Sequence, residues 1–288
     1  SFSQCSIRVD TNALKGTGPA DSLQLWLKLD ETNGTVAHDS SGMGTNGVLT
    51  GSGLSWTPGR LDGALASANA NDYVLMNPPI DISNDWTIAS WFWAPLPNSA
   101  TWHTLTRGQS ADYQVITDSG LTLGVYDSVS GFRACGFNMG SLSPGWHHVA
   151  AVGTGTVTRF SIDGVYVGVS DRKSTTDVYA VGNYQSGNQR FSQKLDDVRV
   201  YNRALTSNEI VQLVLDVSDE APVATAGPDK SFAAGTNVAL EGWYSDDGKP
   251  AGVVTAAWTQ VSGSGTGVVS FGDSHVTNPT VSCLTEGI

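Results

Sequence analysis

Between Leu195 and Leu205 the chain reads Leu-Asp-Asp-Val-Arg-Val-Tyr-Asn-Arg-Ala-Leu, and this run restricts the fold more than any other. On a regular strand its side chains alternate with period two. Asp196, Val198 and Val200 then share one face, and Leu195, Asp197, Arg199 and Tyr201 share the other. A carboxylate on a valine face must be hydrogen-bonded, ion-paired or bound to a metal, because stripping its water without compensation is strongly unfavourable. Asn202-Arg203 ends the strand. Thr206-Ser207-Asn208-Glu209 then offers a capping box for a short helix over residues 209–215. The run reads as the closing strand of a large β-domain.

The rest of the chain supplies the other strands. In Trp86-Thr87-Ile88-Ala89-Ser90-Trp91-Phe92-Trp93, Trp86, Ile88 and Phe92 alternate with Ala89, Trp91 and Trp93, so both faces carry large apolar groups and the strand must be covered on both sides. Short β-branched and aromatic runs follow at residues 104–107, 113–117, 121–126 and 132–137. Between them lie the hairpin signals Gln109-Ser110-Ala111-Asp112, Asp118-Ser119-Gly120 and Asp127-Ser128-Val129-Ser130-Gly131. With 33 glycines and only 15% charged residues this is an all-β composition. The adjacent His147 and His148 point to opposite faces of a strand, so they cannot serve one site.

The net charge of -12 excludes an electrostatic footprint for nucleic acid or for an anionic membrane. No run of apolar residues is long enough to span a bilayer. The first residue is Ser1, with neither an initiator Met nor an apolar signal core, which reads as a processed or excised piece of a longer product. Cys5, Cys135 and Cys283 permit one disulfide, whose pairing the sequence leaves open, and none lies at zinc-site spacing.

Four stretches in order resemble LamG-like jelly-roll domains of the concanavalin A-like group. They are Leu25-Trp26-Leu27-Lys28-Leu29-Asp30-Glu31; Asp39-Ser40-Ser41-Gly42-Met43-Gly44-Thr45-Asn46-Gly47; Trp146-His147-His148-Val149-Ala150 with Phe160-Ser161-Ile162-Asp163-Gly164-Val165-Tyr166-Val167-Gly168; and the run at Leu195. The resemblance covers residues 20–217, after an arm of residues 1–19, and implies a jelly-roll β-sandwich. It also implies that the Asp39–Gly47 loop lies beside the closing strand, so that Asp39, Asn46 and Asp196 would meet on one structural calcium ion. Carbonyls around Gly44 would complete the shell, with Asp30 or Asp197 in support, since calcium takes six to eight oxygens in irregular loops. The competing reading of the same loop is an Asx-rich turn in which Asp39 accepts backbone N–H bonds. Residues 218–288 resemble a PKD-type, immunoglobulin-like sandwich, on Ser245-Asp246-Asp247-Gly248 and on Ala257-Trp258-Thr259-Gln260-Val261-Ser262-Gly263, with Trp258 as its core tryptophan. The chain stops where that family adds its last two strands.

The sequence holds no nucleophile elbow, no His-Glu-x-x-His pair and no phosphate loop, and no Glu-x-Asp run of the kind that laminarinase-like relatives carry. It therefore reads as no enzyme. The expected role is a calcium-stiffened binding or adhesion module of a secreted or cell-surface bacterial protein that recognises carbohydrate or a protein partner. Loop aromatics Trp102, Tyr113, Tyr126 and Tyr184 are the candidates for stacking on sugar rings, each also explicable as ordinary packing. The alternatives are a structural repeat that pairs with neighbouring copies of itself, and an accessory module of a polysaccharide-degrading enzyme.

Overall fold

In the computed structural model, which describes residues 19–82, 84–97, 102–184, 188–215, 223–225, 227–228, 236–245, 257–258, 269–276 and 278–283, the Trp86–Ala94 strand lies where its two apolar faces require, in the middle of a sheet. The chain divides into a unit of Thr17–Asp216 and a second made of the remainder. In the first unit the strands are β1 (Leu23–Leu27), β2 (Val36–Ala37), β3 (Gly47–Thr50), β4 (Leu54–Leu61), β5 (Gly63–Ser67), β6 (Tyr73–Ile80), β7 (Trp86–Ala94), β8 (His103–Gly108), β9 (Tyr113–Thr117), β10 (Thr122–Asp127), β11 (Gly131–Asn138), β12 (Gly145–Thr154), β13 (Val157–Ile162), β14 (Val165–Ser170), β15 (Val178–Val181) and β16 (Lys194–Tyr201). The helix α1 (Ser207–Leu215) follows.

Two antiparallel sheets result. One runs β14-β13-β12-β7-β16-β5-β4, with β1 also on β16, and the other runs β11-β10-β9-β8-β15-β6-β3-β2. Ile88 and Phe92 of β7, Val149 of β12 and Val198 of β16 pack with Leu105 of β8, Val115 of β9 and Val125 of β10 in one core. Each such side chain contributes about 1.5–3 kcal/mol by leaving water. This is the jelly-roll sandwich of the concanavalin A-like type. At one corner the edge strands β11 and β14 touch. A Cβ on Gly168 would lie 2.1 Å from the carbonyl oxygen of Cys135, so only glycine allows the approach.

The closing strand β16 departs from simple alternation. Asp197 has φ of 50°, and the register against β7 shifts between Asp196 and Arg199, which is a β-bulge. Leu195 therefore joins Val198 and Val200 in the core, and Asp196 falls on the face of its pair partner Trp91. The expectation that Asp196 shares a face with Val198 and Val200 is corrected by this extra residue.

Beyond β16 the capping box forms as its spacing dictates. Thr206 Oγ1 accepts the Glu209 amide at 3.3 Å, and the Thr206 amide donates to Glu209 Oε2 at 2.8 Å. The helix then buries Ile210 and Leu213 against Ala89, Ala150, Val152 and Tyr201, a second small core.

In the remainder, β17 (Val223–Thr225) pairs with β19 (Trp243–Ser245). β18 (Asn237–Ala239), β21 (Thr280–Cys283) and β20 (Val269–Phe271) form a second small sheet. Trp258 is buried and donates its indole N–H to the Val276 carbonyl at 3.0 Å. Cys135 carries a free thiol. Cys5 and the side chain of Cys283 lie outside the described residues.

Candidate functional site

The residues expected around a calcium ion fall into two separate groups. Asp39 and Asn46 meet, the Asp39 amide donating to Asn46 Oδ1 at 2.9 Å. The Asp39 carboxylate is already filled with donors. Oδ1 accepts the amides of Trp26 at 3.0 Å and Ser41 at 2.9 Å. Oδ2 accepts the Ser41 hydroxyl at 2.8 Å and the amides of Gly44 at 2.9 Å and Thr45 at 3.2 Å. Gly44 thus presents its N–H to Asp39, which is the Asx-turn geometry. The same use of aspartate recurs at Asp72, Asp118 and Asp127, each of which accepts backbone N–H groups of its own turn.

Asp196 and Asp30 belong to the other group. Asp196 Oδ2 accepts the amides of Arg60 at 2.8 Å and Leu61 at 2.9 Å, at the far end of β4. Among the described residues its Oδ1 has no partner, and desolvation pushes its carboxyl up to about 8, with Asp197 and Asp30 adding repulsion. Asp30 accepts the Gly63 amide at 2.8 Å and is also raised, chiefly by burial. Asp197 Oδ1 accepts the Trp26 indole at 2.5 Å and Arg199 Nε at 3.1 Å. Asp39 with Asn46, and Asp196, are thus held by different backbone donors. The Asp39 oxygens are engaged by N–H and O–H donors, Asp196 is turned to the β4 end, and among the described residues no three acidic, His or Cys side chains are placed to hold a metal. A calcium ion shared by these five residues does not fit the donor set.

The histidine pair splits as strand geometry demands. His148 is buried edge-on against Trp91, with centroids 5.3 Å apart, and desolvation pushes it down to about 3. His147 Nδ1 lies 2.7 Å from Asp163 Oδ2, with the Ser143 hydroxyl 3.5 Å from Nε2. The set has the composition of a Ser-His-Asp triad. Its geometry is different, because Nε2 lies 2.9 Å from the Ser143 carbonyl, closer than the Ser143 hydroxyl at 3.5 Å. Asp163 Oδ1 also accepts the His148 amide at 2.8 Å, so the three residues tie the β13–β14 turn to β12.

The aromatic candidates, in contrast, come together. Antiparallel pairing sets Tyr113 at the start of β9 opposite Tyr126 of β10, and Tyr126 opposite Phe132 of β11. Ring centroids are 5.5 Å apart for Tyr113 and Tyr126, 5.8 Å for Trp102 and Tyr126, 5.4 Å for Trp102 and Phe132, and 6.2 Å for Tyr113 and Tyr184. Gly124 makes room, since a Cβ there would lie 2.8 Å from the Phe132 ring and 2.3 Å from the Arg133 carbonyl. Trp102, Tyr126, Phe132 and Tyr184 are half-buried, which leaves part of each ring in water.

Tyr184 reaches this patch from the loop after β15 because Asn183 holds the loop in place. Asn183 is fully buried. Its amide nitrogen donates to the carbonyls of Ala70 at 2.6 Å and Asp72 at 3.0 Å, while its oxygen accepts the amides of Tyr184 at 2.8 Å and Gln189 at 2.9 Å. Trp102 is anchored by its neighbour His103, whose ring nitrogens lie 2.7 Å from the Pro97 carbonyl and 3.1 Å from Thr117 Oγ1. Burial keeps His103 below its ordinary pKa and hence neutral.

The sequence reading missed Arg107. Its guanidinium carbon lies 4.1 Å from the centre of Tyr184, 4.6 Å from Tyr113 and 5.8 Å from Tyr179, and its Nε donates to the Tyr179 hydroxyl at 2.6 Å. It is 8% exposed, and its Nη1 has no acceptor. Desolvation, its largest cause, pushes Tyr113 up to about 12, so the phenol stays neutral beside the cation.

The model of the concanavalin A-like lectin/glucanases superfamily matches residues 67–211, half of the chain. No curated protein matches the sequence. Among solved structures, domain 4 of AbnA, a GH43 extracellular arabinanase from Geobacillus stearothermophilus in complex with arabinotriose, superposes with a TM-score of 0.52. It is 16% identical over 67% of this chain and 98% of that domain. Trypanosoma rangeli sialidase in complex with sialic acid gives 0.51 at 16% identity over 73% of this chain. The binding domain of Paraclostridial Mosquitocidal Protein 1 gives 0.51 at 19% over 68% of this chain and 52% of that one. The chain spans 35% of the length of the sialidase.

These likenesses correct the expectation that the segment is no enzyme. Its fold occurs in a sialidase and in a domain of an arabinanase, so the absence of a familiar catalytic motif does not exclude catalysis, and likenesses this distant show no catalytic role either. The match ends at residue 211 and leaves the PKD-type resemblance of the later residues outside it. From the sandwich, its strand order and the family match together, the chain belongs to the concanavalin A-like lectin/glucanases superfamily.

Proposed function

We propose that this chain is a carbohydrate-binding module of a secreted or cell-surface protein, and that the glycan lies across Trp102, Tyr126, Tyr113 and Tyr184. The observation that carries this reading is the run of rings around β9 and β10, each within about 6 Å of the next, with Trp102, Tyr126 and Tyr184 half-buried and Tyr113 buried among them. Sugar rings present apolar C–H faces that stack on such side chains, while hydroxyls need polar groups at the rim. The arabinotriose complex of the arabinanase domain, a structure of the same fold, supports a glycan as the ligand class. Among the described residues no helix is long and apolar enough to cross a membrane.

Calorimetric titration with neutral trisaccharides, beginning with arabinotriose, tests the proposal. Trp102→Ala and Tyr184→Ala should each weaken binding about tenfold or more, the loss expected when one well-buried aromatic contact is removed. Tyr166→Ala, an exposed tyrosine on β14, should leave affinity unchanged. Equal affinity in all variants would place the ligand elsewhere.

A further inference from the structure

Among the described residues Arg107 has no counterion. It forms no ion pair with a described residue, its Nη1 is shut from water with no acceptor among the described residues, and its guanidinium packs against the rings of Tyr113 and Tyr184. The other buried arginine of this unit, Arg199, has Asp197 at 3.1 Å. The rings of Tyr113 and Tyr184 account for apolar contact with the Arg107 guanidinium, and Tyr179 accounts for Nε. Neither supplies an acceptor for Nη1, which lies among the rings proposed to receive a sugar.

Resting on the reading of that patch as a glycan site, we infer that its ligand is an acidic glycan, and that Arg107 binds a sugar carboxylate. A hydroxyl could also accept from Nη1. In a water-poor site, however, a cation gains far more from an anionic acceptor, and the planar guanidinium presents paired N–H groups that match a carboxylate. The overall charge of -12 opposes an anion only at long range. Salt screens that field beyond about 8–10 Å, while the contact at Arg107 persists.

The test compares trigalacturonate with galactotriose and arabinotriose on wild type, Arg107→Gln and Arg107→Lys. Wild type should favour the acidic trisaccharide. Arg107→Gln should weaken it about ten- to a hundredfold, at least about tenfold more than it weakens the neutral ones, and Arg107→Lys should recover only part of the loss. A cooperative thermal melt like that of wild type reports that the variants are folded. If trigalacturonate binds no better than galactotriose, or if Arg107→Gln leaves it untouched, the acidic-ligand inference is overturned and the neutral-glycan site stands. If no trisaccharide of either kind binds, both fall.

Discussion

At Asp196 one carboxylate oxygen receives two amide donors and the other receives none. The folded state therefore favours the proton. With the folded value at about 8 and the ordinary value at 3.8, the native protein holds one more proton than the unfolded chain between those limits. Stability falls as pH rises through that window, by at most about 1.4 kcal/mol per pH unit. Asp196→Asn should flatten the decline of the melting temperature between neutral pH and pH about 8, and an unaltered slope in the variant would assign the titration to another group. Because Asp39 and Asp196 sit in different hydrogen-bond networks, their substitutions by Asn should add to within about 0.5 kcal/mol in a double-mutant cycle. Coupling that appears with calcium and vanishes with chelator would restore the shared ion.

Among the elements, α1 and β10 carry the clearest dependence on single side chains. Thr206→Ala removes the cap of α1 and should cost about 1 kcal/mol in chemical denaturation. Gly124→Ala should destabilise by about 1–3 kcal/mol, because its Cβ meets the Phe132 ring and a backbone carbonyl. It should also weaken glycan binding, through displacement of Phe132 beside Trp102. Both features were open to sequence reasoning to different degrees. The capping box is local, so Thr206 and Glu209 announce it. The central place of Trp86–Ala94 follows from its two apolar faces. The bulge at Asp197 was hidden, since a non-glycine residue with positive φ leaves no mark in a hydrophobic pattern, and the missed bulge assigned Asp196 to the wrong face. The loop aromatics could be named one by one, but their meeting depends on the register of β8, β9 and β10. Arg107 and Asn183 looked like ordinary polar residues of a strand and a loop, because nothing local shows that one lacks a counterion and the other bonds across more than a hundred residues of sequence.

For the molecule as a whole, Thr17–Asp216 contains both large sheets, α1 and the aromatic patch. A unit of that size buries enough apolar surface to fold by itself. Expressed alone, it should unfold in one cooperative transition and keep the glycan affinity of the full chain, as calorimetry and titration would show. Loss of either would mean that the remaining residues complete it. The corner at Gly168 has a mechanical consequence for such a binder. β11 carries Phe132 of the patch and, three residues on, Cys135, whose carbonyl rests against Gly168 of β14 in the opposite sheet. Tension from an anchored polymer therefore reaches β11 close to a point where it abuts the other sheet. At that point β14 of the other sheet backs β11, a support that a free edge strand lacks.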